Sequence, residues 1–361
     1  MKFNKYTLQD LVSIKYGKNQ KKVECIDGTV PIYGTGGLMG YASEPLYTKP
    51  SVLIGRKGSI GKVKYVDHPF WTVDTLFYTE VNEELVLPKY LYYLMSLTDM
   101  MQYNEGTTIP SLRTETLNKL EFDIPSLAEQ EKVLSILNPI DEKIEHNGEI
   151  NKNLQEQAQA FYNQMFVDNC APDWHEGTLS DVAEIIMGQS PKGDTYNEDG
   201  EGTVFYQGRA EFGFRFPTRR LFTTDPKRMA QENDVLMSVR APVGDLNVAN
   251  EPCCIGRGLG AIHSKDGHQS FVLYTVFSLR QQLDVYNGEG TVFGSINRDS
   301  LNSMPILVPD KASMDRFEEI VAPMDEAIRN NYDEICRLQA IRDSLLPRLM
   351  SGEIDVSSIE L

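Results

Sequence analysis

At 361 residues with 41% hydrophobic side chains, the chain has room for two or three domains with real cores. It holds no run of eighteen apolar residues and no signal-peptide layout, so a soluble cytoplasmic protein is expected. Five cysteines (Cys25, Cys170, Cys253, Cys254, Cys336) form an odd set without a C-x-x-C, which argues against a disulfide framework and against a zinc site. A net charge of −17 argues against nonspecific nucleic-acid binding by the whole surface.

The first readable segment, YTLQDLVSIKYGK from Tyr6, returns as GTLSDVAEIIMGQ from Gly177. Thr7, Leu8, Asp10 and Gly17 recur as Thr178, Leu179, Asp181 and Gly188, 171 residues later. Short strand candidates follow, SVLIG at 51–55 and GKVKYV at 61–66, set between glycine-rich turns. The stretch SVLIGRKGSIGKVKYV from Ser51 lies over DVLMSVRAPVGDLNVA from Asp234 at an offset of 183. A helix is predicted over PKYLYYLMSL at 88–97, with a counterpart in HQSFVLYTVFSLRQQL at 268–283. Then EGTTIPSLRTETLNKLEFDIPS at 105–126 returns as EGTVFGSINRDSLNSMPILVPD at 289–310. With the helical block below, these matches keep one order and a nearly constant offset, which reads as internal duplication of about half the protein. Cys253 and Cys254 fall opposite Phe70 and Trp71, so buried strand packing is their expected role.

The helical part begins at PSLAEQEKVLSIL, where Ser126 and Glu129 have the spacing of a capping box. Asn138 before Pro139 reads as a second N-cap, giving a short helix, a kink or break, and a long helix from Pro139 to about Phe166. Apolar positions alternate three and four apart in both copies. The first runs Val133, Leu137, Ile140, Ile144, Asn147, Asn151, Leu154, Ala158, Phe161, Met165. The second runs Phe317, Val321, Met324, Ile328, Asn331, Ile335, Leu338, Arg342, Leu345, Leu349. That reads as a coiled-coil seam, with Asn147 and Asn331 at equivalent positions where a buried polar residue fixes register; the alternative is two amphipathic helices, each packed on its own domain. If Pro139 only bends one helix, the two asparagines should meet; if it starts a new one, the crossing shifts towards Asn151. The expected fold is α+β: two β-rich domains joined by two long antiparallel coiled-coil helices, with an internal pseudo-twofold repeat. Boundaries fall at 1–128, 129–166, 167–310 and 311–361.

Charge is distributed unevenly. Residues 1–128 carry 14 basic and 14 acidic side chains, whereas 129–166, 167–310 and 311–361 carry −4, −8 and −5. Within the third segment, Arg209, Arg215, Arg219, Arg220, Lys227 and Arg228 form a basic cluster, which reads either as a contact surface or as a solvated face. A chemistry-bearing loop is not apparent. YGTGGLMGY at 33–41 has Met39 where a dinucleotide fingerprint needs its third glycine, and NPI at Asn138 lacks the rest of an adenine-methylating loop. There is no Walker loop or hydrolase elbow, and the five histidines are scattered.

The motifs EGTTIPSLRTETLNKLEFDIPSLAEQEKVLSIL, IDEKI at 140–144 and the closing LLPRLMSGEIDV at 345–356, together with the duplication, resemble the specificity subunits of type I restriction-modification systems. The resemblance implies two target-recognition domains, each reading one half of a split site in double-stranded DNA. It also implies helices that space the halves and dock two methyltransferase subunits, with restriction subunits joining them. The chain itself would be a non-enzymatic subunit without a cofactor. S-adenosylmethionine is expected on the methyltransferase subunits, ATP and Mg on the restriction subunits, and no membrane partner. The second copy reads SMDRFEEI where the first has AEQEKVL, so docking through the E-Q motif is expected to be asymmetric, or the motif dispensable there.

Base readout needs Arg, Lys, Asn, Gln, Ser or Thr on loops, and phosphate contact needs cations and small turns. In the first domain this selects Tyr33, Thr35, Tyr41, Arg56, Lys57, Ser59, Lys62, Thr107, Thr108, Ser111 and Arg113. In the second it selects Gln189, Ser190, Lys192, Gln207, Arg209, Arg215, Arg219, Arg220, Arg240, Arg257, Thr291, Ser295, Asn297 and Arg298. The glycine turns GRKGSIG and GRGLG serve equally well as strand connections. A long helix of roughly 28 residues spans roughly 42 Å, comparable to one turn of DNA, so helix length would act as a ruler. The competing reading is a non-enzymatic protein-binding scaffold with a coiled-coil spacer.

Overall fold

The computed structural model describes residues 1–288 and 294–360. The chain divides into two compact units, Met1–Ile144 with Arg337–Leu361, and Glu145–Cys336.

Unit 1 opens with β1 (Asn4–Thr7), the one-turn α1 (Leu8–Leu11) and β2 (Val12–Tyr16). Then come β3 (Val30–Gly34), β4 (Gly37–Ala42), β5 (Ser51–Gly55), β6 (Val63–Val66), β7 (Trp71–Thr72) and β8 (Leu76–Val81). After α2 (Pro88–Ser96) and α3 (Thr114–Leu117), β9 (Glu121–Ile124) closes the β-rich part. A four-stranded sheet has the order β2-β8-β5-β6, a three-stranded one β4-β3-β7, and β1 pairs with β9. Every residue of β5 is buried, as an apolar run in a central strand requires.

The helix α4 (Leu127–Asn163) leaves the β-rich part of unit 1 and is followed by a π-helical turn over Gln164–Asp168. Unit 2 repeats the opening as β10 (His175–Thr178), α5 (Leu179–Val182) and β11 (Ala183–Met187). Its strands continue as β12 (Tyr196–Asn197), β13 (Thr203–Tyr206), β14 (Phe222–Thr223), β15 (Met229–Ala230), β16 (Val235–Ser238), β17 (Leu246–Val248), β18 (Cys253–Ile255) and β19 (Leu259–Ser264). Then follow α6 (Gln269–Ser278), α7 (Arg280–Asp284), α8 (Arg298–Asn302), β20 (Pro305–Val308) and α9 (Lys311–Met350). Its four-stranded sheet is ordered β11-β19-β16-β17, strand for strand the order seen in unit 1, and β10 pairs with β20 as β1 does with β9. Cys253 and Cys254 are both fully buried in β18, and burial pushes the Cys253 thiol up to about 12.

Each core lies where a sheet, a helix of the β-rich part and the long helices meet. In unit 1, Tyr90, Leu91 and Met95 of α2 pack with Val133, Leu134 and Leu137 of α4 and with Leu346 and Leu349 of α9. In unit 2, Phe271, Val272 and Val276 of α6 pack with Ala158 and Tyr162 and with Phe317, Val321 and Ile328. The capping box forms: the Ser126 amide donates to Glu129 Oε2 at 3.1 Å and the Glu129 amide to Ser126 Oγ at 3.4 Å.

Pro139 does not break the helix. It lies inside the continuous α4, so Asn138 is a mid-helix residue and not an N-cap. Pro139 and Ser135, whose carbonyl loses its helical donor, are both exposed, so the missing bond falls on the solvent side of the helix, where it costs least. All twenty seam positions, from Val133 to Met165 and from Phe317 to Leu349, are buried or half-buried. The two equivalent asparagines do not meet, although the helix is continuous. Within unit 2, Asn331 Nδ2 donates to Asn151 Oδ1 at 2.9 Å, Asn151 Nδ2 to the Ile328 carbonyl at 3.2 Å, and Asn147 Nδ2 to Glu334 at 2.7 Å. The register is thus set by the antiparallel 151/331 and 147/334 pairings, which centre the crossing between Asn147 and Asn151.

Candidate nucleic-acid interface

In unit 1 the buried strand β5 delivers the chain to an exposed loop, Arg56 to Lys62, that is clamped to the loop preceding α3. Lys57 and Ser111 form an antiparallel bridge. Beside it the Gly58 amide donates to the Pro110 carbonyl at 2.9 Å, and the Leu112 amide to the Arg56 carbonyl at 3.0 Å. Asn104 organises the second loop, its Oδ1 accepting from the Gly106 and Ser111 amides at 2.9 Å each. Gly106 is obligatory, because a Cβ there would stand 1.9 Å from the Ile109 carbonyl oxygen. The clamp brings Arg56, Lys57, Ser59, Lys62, Thr107, Thr108, Ser111 and Arg113 onto two adjoining loops. Lys57, Ser59, Lys62, Thr107 and Thr108 are exposed. Arg56 is half-buried, stacked on Tyr16 at 5.1 Å and donating to the Asp74 carbonyl at 2.7 Å, while Arg113 pairs with Glu105 at 3.1 Å.

Tyr33, Thr35 and Tyr41 belong to the β3–β4 hairpin instead. The tempting glycine-rich stretch is its turn, with Gly34 opposite Gly37 and Gly37 at φ +111. Tyr33 is buried, its hydroxyl 3.0 Å from His68 Nε2, and burial first, then Tyr41 and Asp67, pushes the phenol up. Tyr41 is exposed and Thr35 half-buried.

Unit 2 builds the same clamp. Arg240 and Ser295 form an antiparallel bridge, the Ala241 amide donates to the Gly294 carbonyl at 3.0 Å, and the Ile296 amide to the Val239 carbonyl at 3.1 Å. The Val239 amide donates to the Gly258 carbonyl at 2.9 Å, which joins this loop to a second cluster. There the Arg257 amide donates to Ser190 Oγ at 3.2 Å, the Gln189 amide to Ile255, and the Gly258 amide to Gln207. Gln189, Gln207, Arg240, Arg257, Ser295, Asn297 and Arg298 are exposed, as is Lys192 farther along the same connection, and Ser190 is half-buried. Asn297 Oδ1 caps α8 by accepting from the Ser300 amide at 2.8 Å. Thr291 lies outside the described residues.

The basic cluster at 209–228 is largely neutralised by its own fold. Arg215 is buried and bonds Asp325 at 3.0 Å and the Tyr274 hydroxyl at 2.8 Å, so it is not a surface cation. Arg209 pairs with Asp245, Arg219 with Glu251, Lys227 with Asp225 at 2.6 Å, and Arg220 with Glu198 at 3.0 Å and Glu211 at 2.5 Å. Among the described residues, Lys57, Lys62, Lys192, Arg240, Arg257 and Arg298 are the exposed selected cations with no acidic partner; Arg56 also lacks one, but it is half-buried and held by Tyr16 and the Asp74 carbonyl.

Sequence reasoning missed three contributors. Tyr16 carries Arg56, Asn104 shapes its loop, and a tyrosine–aspartate pair ties the β-rich part of each unit to a long helix. Tyr93 donates to Asp141 at 2.6 Å in unit 1, and Tyr274 to Asp325 at 3.0 Å in unit 2. The signal for the last was present, since Asp141 and Asp325 recur at the same offset as Ile144 and Ile328. Among the described residues, no three His, Cys, Asp or Glu side chains are grouped to hold a metal, and no helix is long and apolar enough to cross a membrane.

A sequence profile of the type I restriction modification DNA specificity domain matches residues 1–156 and 172–334, a copy in each half. The chain belongs to that family. A putative type I restriction enzyme MjaX specificity subunit from Methanocaldococcus jannaschii is 30% identical over 302 residues, covering 77% of this chain and 70% of the relative. The type I restriction enzyme HindI specificity subunit of Haemophilus influenzae is 24% identical over 388 residues, covering 81% and 84%. The crystal structure of a type I restriction-modification system S subunit from M. genitalium shares the fold, with a TM-score of 0.64 at 18% identity over 97% of this chain and 96% of that one.

For a type I specificity chain, the E-Q motif has an internal explanation. Gln130 is fully buried, donating to the carbonyls of Leu85 and Pro125 and accepting from the Leu87 amide at 2.8 Å, and Glu129 is the capping partner of Ser126. In unit 2 the same job passes to other side chains: Asp310 caps Ser313, His268 meets Asp315 at 2.7 Å, and Glu318 accepts from the Phe271 amide at 2.8 Å. The motif's absence from the second copy therefore follows from a different way of fastening α6 to α9.

Proposed function

We propose that this chain is the sequence-specific DNA-recognition subunit of a type I restriction-modification complex. Residues 1–128 and 167–310 would be the two target-recognition domains of an internal pseudo-twofold repeat, each reading one half of a bipartite site. Residues 129–166 and 311–361 would form the helical regions that set the spacer and dock two methyltransferase subunits. Catalysis belongs to those partners, which bring S-adenosylmethionine and methylate adenine N6; restriction subunits bring ATP and Mg. The observation that carries this reading is the loop clamp made alike in both units, each presenting cations without acidic partners on an otherwise acidic chain. Polar loops on a rigid β-scaffold are what base readout requires.

The test is to purify the full chain with its host's methyltransferase subunits and select from a pool of random duplexes. A stable complex enriching a motif of two defined blocks around an undefined spacer is the expected result. A complex that forms without any sequence enrichment, or a chain that captures no methyltransferase, would favour the scaffold reading.

A further inference from the structure

The proposed function leaves open which side chains read bases and which only hold the backbone. Six selected cations are exposed and free of acidic partners, and two of them differ from the rest. Lys57 and Arg240 alone in this set have their own backbone fixed in a β-bridge. Each stands two residues past the end of a fully buried central strand, β5 ending at Gly55 and β16 at Ser238. Each faces a serine, Ser111 or Ser295, three residues before a short helix that begins at Thr114 or Arg298. Two flanking amide-to-carbonyl bonds of 2.9 to 3.1 Å close each clamp. The two positions are structurally equivalent within their units, and both side chains project from the clamp into solvent.

We propose that Lys57 and Arg240 are matched specificity-determining residues, each reading a guanine edge in its own half-site. This rests on the reading of the chain as a DNA-recognition subunit. A phosphate contact asks only for a positive charge within reach, which the free Lys62 or Lys192 supplies from less constrained backbone. Discriminating a base needs a donor whose origin is held to a fraction of an ångström. Arg or Lys donating to guanine O6 and N7 is the commonest specific contact of the major groove, and Arg240 adds the two-pronged geometry that Lys57 lacks. The half-site read by unit 2 is therefore expected to discriminate more sharply at its position than the half-site read by unit 1.

The experiment uses the full chain assembled with its methyltransferase subunits, a random-duplex pool, and sequencing of methylated products for wild type, Arg240→Gln and Lys57→Gln. Glutamine pairs with adenine N6 and N7, so Arg240→Gln is expected to shift preference from guanine towards adenine at one base pair by about tenfold. The other half-site should stay unchanged, which is the internal control for folding. Lys57→Gln should do the reciprocal in the other half. Uniform weakening of all sequences, with the salt slope reduced by about one, would make these residues phosphate anchors and overturn the inference. So would variants that keep the wild-type motif unaltered. If the wild-type complex itself enriches no split motif, the proposed function falls and this inference with it.

Discussion

Ion pairing sorts the cations of this chain more sharply than their position in the sequence does. Arg219 and Arg220 are exposed but held by Glu251 and by Glu211 and Glu198, whereas Lys62 and Lys192 have no acid to leave. Removing Lys62 or Lys192 should therefore lower the slope of log affinity against log salt by about 0.9 for each phosphate no longer neutralised. Arg219→Ala and Arg220→Ala should leave the slope within error, because freeing a glutamate offsets what the arginine could give. Fluorescence titrations of the assembled complex between low and moderate salt would separate the pairs; equal slopes for all four variants would contradict the assignment. Arg215 shows what local sequence cannot disclose. The other arginines of its cluster, Arg209, Arg219 and Arg220, face solvent, yet the partner of Arg215, Asp325, is 110 residues away, and the packing of α6 on α9 makes it a core residue. Arg215→Ala strips a buried pair of one member and should destabilise unit 2 by about 3 kcal/mol in denaturant unfolding. An unchanged midpoint would show that the pair contributes nothing.

At the scale of elements, the periodic and capped segments were legible and the crossings between them were not. β5, α2 and the start of α4 were readable because an apolar run, a helical period and a capping box are local signals. Pro139 misled because proline's cost depends on whether the freed carbonyl reaches water, a property of burial and not of sequence. The 151/331 crossing likewise depends on how two helices pack, since Asn147 finds Glu334 at 2.7 Å. Asn151→Ala removes two of those bonds from a buried site and should cost about 1 to 2 kcal/mol. A melting temperature equal to wild type would place the register elsewhere.

The short caps predict an acid-side limit. Hydrogen bonds from Thr7 hold Asp10 below its ordinary value, bonds from Thr178 hold Asp181 down, and Ser313 with Trp174 does so for Asp310. Groups whose folded pKa is depressed stabilise the fold above the unfolded value near 3.8, and that stability is lost as pH falls through the folded pKa. Replacing all three aspartates with asparagine keeps one accepting oxygen at each cap and removes the titration. The melting temperature of that variant should fall less steeply than wild type below about pH 4, and parallel curves would refute the linkage.

For the whole molecule, a formal charge of −17 sits on a chain proposed to bind a polyanion. The two are reconciled if the unpaired cations of the loop clamps meet the DNA and partner subunits supply much of the remaining phosphate contact. The isolated chain should then bind random DNA weakly and lose that binding steeply with salt; tight, salt-insensitive binding would argue otherwise. The family and the division into two β-rich parts could be read from repeated blocks, because duplication writes itself into sequence. The clamp could not, since Lys57 and Ser111 are separated by 54 positions and meet only in three dimensions.

The most direct test of the central claim is single-molecule methylation mapping of DNA from cells expressing this chain with its methyltransferase subunits, against cells lacking only this chain. The expected result is a split motif carrying methyladenine in both halves, present with the chain and absent without it. A methylome unchanged by removing the chain, despite confirmed expression and complex formation, would contradict that claim.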